Sequence, residues 1–289
     1  MTERQEASSR RALAHYAFIY VLIGFYGVQV CPFIEGLTPL QVALPLAVVG
    51  AAAFALRGVL GRLLIEEGPY EGRVGRAFAM EWGLMIAAGL VILLYNTIRF
   101  DFPVLSGMKV VLGFTGLGFF AASDLALARE RDLVALFRRE GHRLVPDRRY
   151  FPLVRKFTLF AALAVAFSAG IHFLVVNKDL DWMVRVGDAV TLPQARLAVL
   201  GEFAFVAAVL LGYMLQVIHA YSRNLRQFFD NENRVLEAAS NGDLRGAVPV
   251  ATNDEFGVMA HHTNVMVRQL LERTEQLQRT QDVTIHGLA

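Results

Sequence analysis

Cysteine is almost missing from this chain. Cys31 stands alone among 289 residues, which excludes an internal disulfide and any multi-cysteine zinc site. Charge is scarce as well. Asp, Glu, Lys and Arg make up 19% of the sequence, against about 25% in an average soluble domain. The balance of sign is small, a formal +2, too little to point to nucleic acid as a partner. No phosphate loop, nucleophile elbow or metalloprotease helix is present. On these grounds no catalytic residue, metal or cofactor is expected. Apolar side chains dominate instead, at 55%, and nearly all the long apolar runs lie between residues 12 and 222. A disordered chain, a disulfide scaffold and a fully soluble enzyme are excluded.

A helix needs about 20 mostly apolar residues to cross the hydrocarbon core. Six segments meet that need: about Ala12–Ile34, Gly36–Leu56, Ala77–Ile98, Leu105–Ala128, Phe157–Asn177 and Ala195–Ser222. Pro39 and Pro45 predict a bend in the second. The fourth is the weakest, because Lys109 and Asp124 flank its apolar centre. The first is too long for a signal-peptide core and has no small-residue cleavage site. Small residues, among them Gly24, Gly27, Gly113, Gly116 and Gly118, favour close packing of the spans.

Sixteen Lys and Arg residues fall in the N-terminal tail and the second and fourth loops, against five in the alternate loops. The positive-inside rule then puts both termini in the cytoplasm, in a multi-pass protein of the cytoplasmic (inner) membrane. The loop from Arg129 to Lys156 holds nine basic and four acidic residues, with Leu133, Val134, Leu136 and Phe137 among them. Two readings stay open for it: an interfacial helix on anionic lipid, or a cytoplasmic extension of the fourth span.

After Ser222 the pattern changes. Leu225, Phe229, Leu236 and Ala239 recur at helical steps, with Glu232 as a polar intruder. Asn241-Gly242 stops that helix, since Gly takes the left-handed conformation of a helix end. An extended connector from Asp243 to Thr252 carries Leu244, Val248 and Val250. Asn253 or Asp254 caps a second helix, with Glu255 in its first turn. Its apolar positions, Phe256, Met259, Met266, Leu270 and Leu277, keep heptad spacing, interrupted by Thr263. Two such helices cannot bury both stripes alone, and a second chain would complete a parallel four-helix bundle.

Residues 221–275 resemble a HAMP domain, the relay module of bacterial membrane receptors. The resemblance is carried by Gly242-Asp243-Leu244 with Val248, by Asp254-Glu255-Phe256-Gly257, and by Asn264-Val265-Met266. Two departures stand out: no proline follows the membrane, and Thr263 occupies a position where phenylalanine is common. The resemblance implies a homodimer and a mechanical relay, with Gly242, Leu244, Val248, Asp254, Glu255 and Gly257 as its working positions. Leu225, Phe229, Leu236, Ala239, Phe256, Met259, Met266 and Leu270 would form its core. Residues 276–289 read as a signalling-helix linker. The run TQDVTIHGLA is similar to the opening helix of an HD-GYP phosphodiesterase domain, although neither His-Asp nor Gly-Tyr-Pro occurs in the chain. The layout also resembles the six-span HAMP-containing adenylate cyclases of actinobacteria.

Ionisable residues within spans are costly and are functional candidates by default. Glu81, Asp124, His172 and Glu202 are the set here. Glu81 and Asp124 would lie toward the cytoplasm, and Asp124 has a helix-end ion pair with Arg129 or Arg131 as its plain alternative. His172 and Glu202 would lie outward, where they could line a ligand pocket between the fifth and sixth spans. His15, His172 and His219 do not form a facing pair at one depth, which speaks against haem. The expectation is an all-α protein: residues 1–11 a cytoplasmic tail, residues 12–222 a six-span sensor embedded in lipid, and residues 221–275 a relay. It would pass a membrane-soluble or extracytoplasmic signal to an output domain. A transporter is the competing class, which an inverted repeat would favour.

Overall fold

The computed structural model describes residues 3–30, 37–70, 72–140, 152–186 and 191–288. Cys31, the end of the first expected span and Arg143, Arg148 and Arg149 of the basic loop lie outside them. Among the described residues the chain is all-helical. Seven helices follow in order: α1 (Glu3–Val30), α2 (Pro39–Leu60, running on as a π-helical turn Gly61–Glu66), α3 (Arg73–Phe100), α4 (Val104–Glu140), α5 (Leu153–Val186), α6 (Leu192–Ser240) and α7 (Glu255–Leu288). Five of them, α2 through α6, are long and apolar enough to cross a membrane.

Local chemistry sets the helix ends. Thr38 caps α2 through a reciprocal box with Gln41, and Pro39 opens the helix where its missing N–H costs nothing. Pro45 lies inside α2 and withholds a donor from the ladder. Asp101 ends α3 in the left-handed region, which a short polar side chain tolerates.

The chain divides into two compact units. The first comprises Met1–Arg129 and Leu159–Ala220. In it α4 is the innermost helix. Its best span window is 72% buried, against 11% for those of α2 and α5. This explains why the fourth segment is the least apolar in sequence: its side chains meet protein rather than lipid. Phe119 and Phe120 on α4 stack with Phe160 and Tyr213, and Trp82 of α3 donates its indole N–H to the carbonyl of Thr115 at 2.9 Å. At Gly118 a Cβ would sit 2.5 Å from that of Met85, so the glycine lets α3 and α4 approach closely.

The second unit comprises Glu130–Thr158 and Tyr221–Ala289. Residues 130–140 simply prolong α4, with Leu133 and Phe137 buried. Val134 and Leu136 beside them are half-buried. A Schellman motif ends α6: the Asp243 N–H bonds the Ala238 carbonyl, the Gly242 N–H bonds the Ala239 carbonyl, and Gly242 has φ 87°. The connector that follows has no regular structure. Its Val248 and Val250 are almost wholly buried and pack with Val235, Ala260 and Val267, flanked by Phe228, Ala239 and Leu244. Asn264 of α7 holds the connector at two points, accepting from the Val248 N–H at 2.7 Å and donating to the Val248 carbonyl at 2.8 Å. Asp254 caps α7 through the Phe256 N–H.

Candidate functional site

In the first unit α1 is fastened by two buried carboxylates. Asp124 of α4 is fully buried and accepts both arms of a guanidinium: Arg11 Nε reaches Oδ2 at 2.7 Å and Nη2 reaches Oδ1 at 2.5 Å. His15, one turn further along α1, lies 2.9 Å from the same Oδ2, and Gln216 of α6 donates to it at 3.3 Å. The next residue of α1, Tyr16, gives its hydroxyl proton to Glu81 at 3.0 Å, and Arg57 of α2 donates to the other oxygen at 2.6 Å. The two acids expected toward one side are thus met by neighbouring residues of one helix. The partner of Asp124 is Arg11, from a distant part of the chain, and not Arg129 or Arg131. A buried carboxylate needs a cation and hydrogen bonds to offset its lost hydration. The geometry supplies both, so α1, α2, α3, α4 and α6 are tied by polar contacts as well as by apolar packing.

A third acid holds the facing parts of α5 and α6. Glu202 accepts from Lys178 at 2.6 Å and from Tyr26 of α1 at 2.9 Å. Lys178 also pairs with Asp179 at 3.2 Å. His172 bonds the Ser168 carbonyl at 2.8 Å and rests its ring 4.4 Å from that of Phe203. The expected neighbourhood of His172 and Glu202 is therefore present at the α5–α6 seam, but each has its own partners. A separate cavity of about 100 Å³ lies between α1, α4, α5 and α6, with apolar walls that include Ile23, Gly113, Ile171 and Val206. Tyr26 joins this cavity to the Glu202 group; His172 is not on its wall.

In the second unit the acidic pair that opens α7 is held from α5. Lys156 Nζ lies 2.6 Å from Asp254 Oδ2, and the Leu153 N–H donates to Glu255 at 2.7 Å. Gly257 is required by space: the Thr252 carbonyl occupies the position a Cβ would take. The two sequence oddities meet each other, for Thr263 donates its hydroxyl proton to the buried Glu232. Of the expected core, Phe229, Leu236, Met259, Met266 and Leu270 remain exposed on the single chain. Leu225, Ala239 and Phe256 are half-buried, and Phe256 stacks on Phe228.

Sequence reasoning missed Arg11, Tyr16, Arg57, Lys178 and Gln216 as partners of the buried acids, and Val235, Ala260, Val267 and Lys156 in the second unit. The i,i+4 spacing of Arg11 and His15 was the available signal for a two-point grip on one acid.

A cyclic di-GMP phosphodiesterase of Vibrio cholerae serotype O1 is 28% identical to this chain over 275 residues, 95% of the chain. The chain spans about half that protein's length, 55%. No solved structure matches the chain. Residues 15–205, which hold Glu81, Asp124, His172, Glu202 and most of the apolar cavity's wall, match the MASE10 family, and the chain accordingly belongs to MASE10, a membrane-associated sensory domain family.

Proposed function

We propose that this protein is a six-span sensor of the bacterial inner membrane that relays its state through a HAMP-type helix pair to a cyclic di-GMP phosphodiesterase output. One observation carries the reading: α6 is a single helix from Leu192 to Ser240. The last apolar span thus continues into the first helix of the helix–connector–helix unit with no loop between. A rotation or shift of that span must repack Val235, Leu244, Val248 and Val250, and two packings a few kcal/mol apart would suffice for a switch. The pair formed by Lys156 and Asp254 adds a second input, because the start of α5 grips the start of α7. MASE10 membership favours a sensor over a transporter. The Vibrio relative favours cyclic dinucleotide hydrolysis over a cyclase, in line with the resemblance of the last ten residues to the opening of HD-GYP domains. Orientation follows the basic loops, with both termini in the cytoplasm. The relay works as a parallel homodimer through residues 225–277.

The test has two parts. With Cys31 replaced by Ser, a single cysteine at Met259 should cross-link to its counterpart in bacterial membranes; purely monomeric product would overturn the dimer. The chain joined to the phosphodiesterase portion of the Vibrio relative should lose signal response on Leu244→Asp or Gly242→Pro while still inserting. Full response in those variants would overturn the relay.

A further inference from the structure

The buried acids of the membrane unit are not equally balanced. Asp124 has Arg11 and His15, and Glu81 has Arg57. At the α5–α6 seam two acids share one cation: Lys178 Nζ lies 2.6 Å from Glu202 Oε2 and 3.2 Å from Asp179 Oδ1. All three side chains are largely buried. Glu202 is fully served, since its other oxygen accepts from Tyr26 at 2.9 Å. Asp179 is not. It is 3% exposed, and its Oδ2 is buried with no hydrogen-bond partner among the described residues. The groups that bear on it are Lys178 of its own helix, Glu202 of α6 and Tyr26 of α1. Beyond these, His172 of α5 is bonded to the Ser168 carbonyl, and Lys109 of α4 is on the wall of the cavity that Tyr26 borders.

Two carboxylates buried against one ammonium leave one negative charge uncompensated among the described groups, which burial makes costly. Neighbouring acids so placed hold one proton between them. We propose that Asp179 and Glu202 form a proton-binding site, with the proton on Asp179 Oδ2 and donated toward Glu202, and that its loss opens the α5–α6 seam. Lys178 and Tyr26 both donate to Glu202, so Glu202 is the member kept as the anion. The bare oxygen of Asp179 is the one that a proton turns into a donor. With the proton bound the group is neutral: one ammonium, one carboxylate and one carboxylic acid. When the proton leaves to water, the two carboxylates repel across the seam, and separating α5 from α6 lets water reach them. Under the proposed orientation the site lies on the outer side, so its ligand is the extracytoplasmic proton. Outside pH as the signal rests on the sensory reading above; the proton site does not.

The test is an infrared titration of the full chain, carrying Cys31→Ser, in phosphatidylcholine nanodiscs from about pH 5 to about pH 9. A protonated-carboxyl C=O band should be present at the acid end and fade as pH rises. It should be missing from Asp179→Asn and from Glu202→Gln, each of which leaves one acid for one lysine. The second readout is maleimide labelling of Val175→Cys, a position 1% exposed and one turn from Asp179. Above the titration it should react about tenfold faster than in the presence of Asp179→Asn at the same pH, the worth of one lost hydrogen bond to a charged group. Below the titration the two rates should match. No titrating band in the unaltered chain, a band unchanged in both variants, or labelling indifferent to Asp179→Asn would overturn the site. Asn keeps the size of Asp179 and a permanent donor toward Glu202, and Glu202→Gln keeps the test decisive should Asp179→Asn fail to fold. A phosphodiesterase fusion that ignores outside pH, with band and labelling as expected, would sink the relay from this site and leave the proton site standing.

Discussion

Both units turn apolar side chains outward and bury polar ones, yet the meaning differs. In the membrane unit Val21, Ile98 and Leu197 are more than 70% exposed. Lipid answers that exposure, and the polar groups go inside, where each carboxylate finds a cation. In the second unit Phe229, Leu236, Met259 and Met266 are also exposed, and under the proposed topology that segment lies in the cytoplasm, with no lipid to meet them. An apolar stripe of this kind on a water-facing helix pair calls for a protein partner, and heptad spacing makes another copy the natural one. Under the proposed reading, outward apolar surface anchors one unit in the bilayer and offers the other to a second copy.

The largest effect should come from the inside of the membrane unit. Asp124→Ala leaves the half-buried Arg11 and the buried His15 without their anion. Breaking a buried pair on one side costs about 3–5 kcal/mol. Thermal unfolding in detergent should show a large loss of stability, and Arg11→Met combined with Asp124→Leu should recover most of it. If the single change is silent, α1 is not held by charge and the contrast between the units fails. The second effect tests the stripe. Leu236→Asp should abolish the Met259 cross-link while leaving the Val235–Val248–Val267 core folded, since Leu236 is outside it. Each Leu buried in a dimer contributes about 1.5–3 kcal/mol, and the acid reverses the sign. An equivalent change at the more exposed Leu197 should leave the cross-link unaffected.

How much of this was legible from sequence follows the range of each interaction. The helix stop at Gly242 and the cap at Asp254 depend on residues a few positions apart and stand where the pattern puts them; of the six expected spans, the last five fall on helices long and apolar enough to cross a membrane. The heptad reading picked out a face that stays largely exposed on the single chain and passed over Val235, Ala260 and Val267, the face that closes on the chain's own connector. One stripe looks like core whichever neighbour covers it. The acids Glu81 and Asp124 were visible as anomalies, but their partners Arg57 and Arg11 are 24 and 113 positions away, and no local pattern spans such distances. The fourth segment looked weak because its polar residues turn inward, a fact that only tertiary packing reveals. Glu232 and Thr263 each looked like an error until the fold paired them.

A smaller effect sharpens the second unit alone. Asn264→Ala removes both bonds to Val248 and leaves a buried N–H and carbonyl unpaired, at about 1–3 kcal/mol. Hydrogen exchange at Val248 should quicken far more than at Val267, because the connector loses its tether while the helix keeps its ladder. Uniform acceleration would mean that connector and helix open together, and that the connector is not the softer part of the relay.

The smallest effect lies on the surface of the connector. Arg245 donates to Asp243 at 3.1 Å, through its side chain and also through its backbone N–H, and holds the Asp243 carboxyl below the ordinary aspartate range. A carboxyl whose folded value is depressed contributes stability above its unfolded value, about 3.9; that contribution is lost as pH falls through the lower folded value. Both side chains are exposed, so solvent and salt screen the pair and melting curves should barely register it. An NMR titration reads it directly: Arg245→Ala should move the Asp243 midpoint up toward the ordinary value. Exposed Asp243 and buried Asp124 make the same kind of bond to an arginine, and only the second is shielded from water. If removing Arg245 were to unsettle the protein as much as removing Asp124, then burial would not be what separates the two units, and the distinction between a charge-locked membrane body and a loosely tethered relay would have to be abandoned.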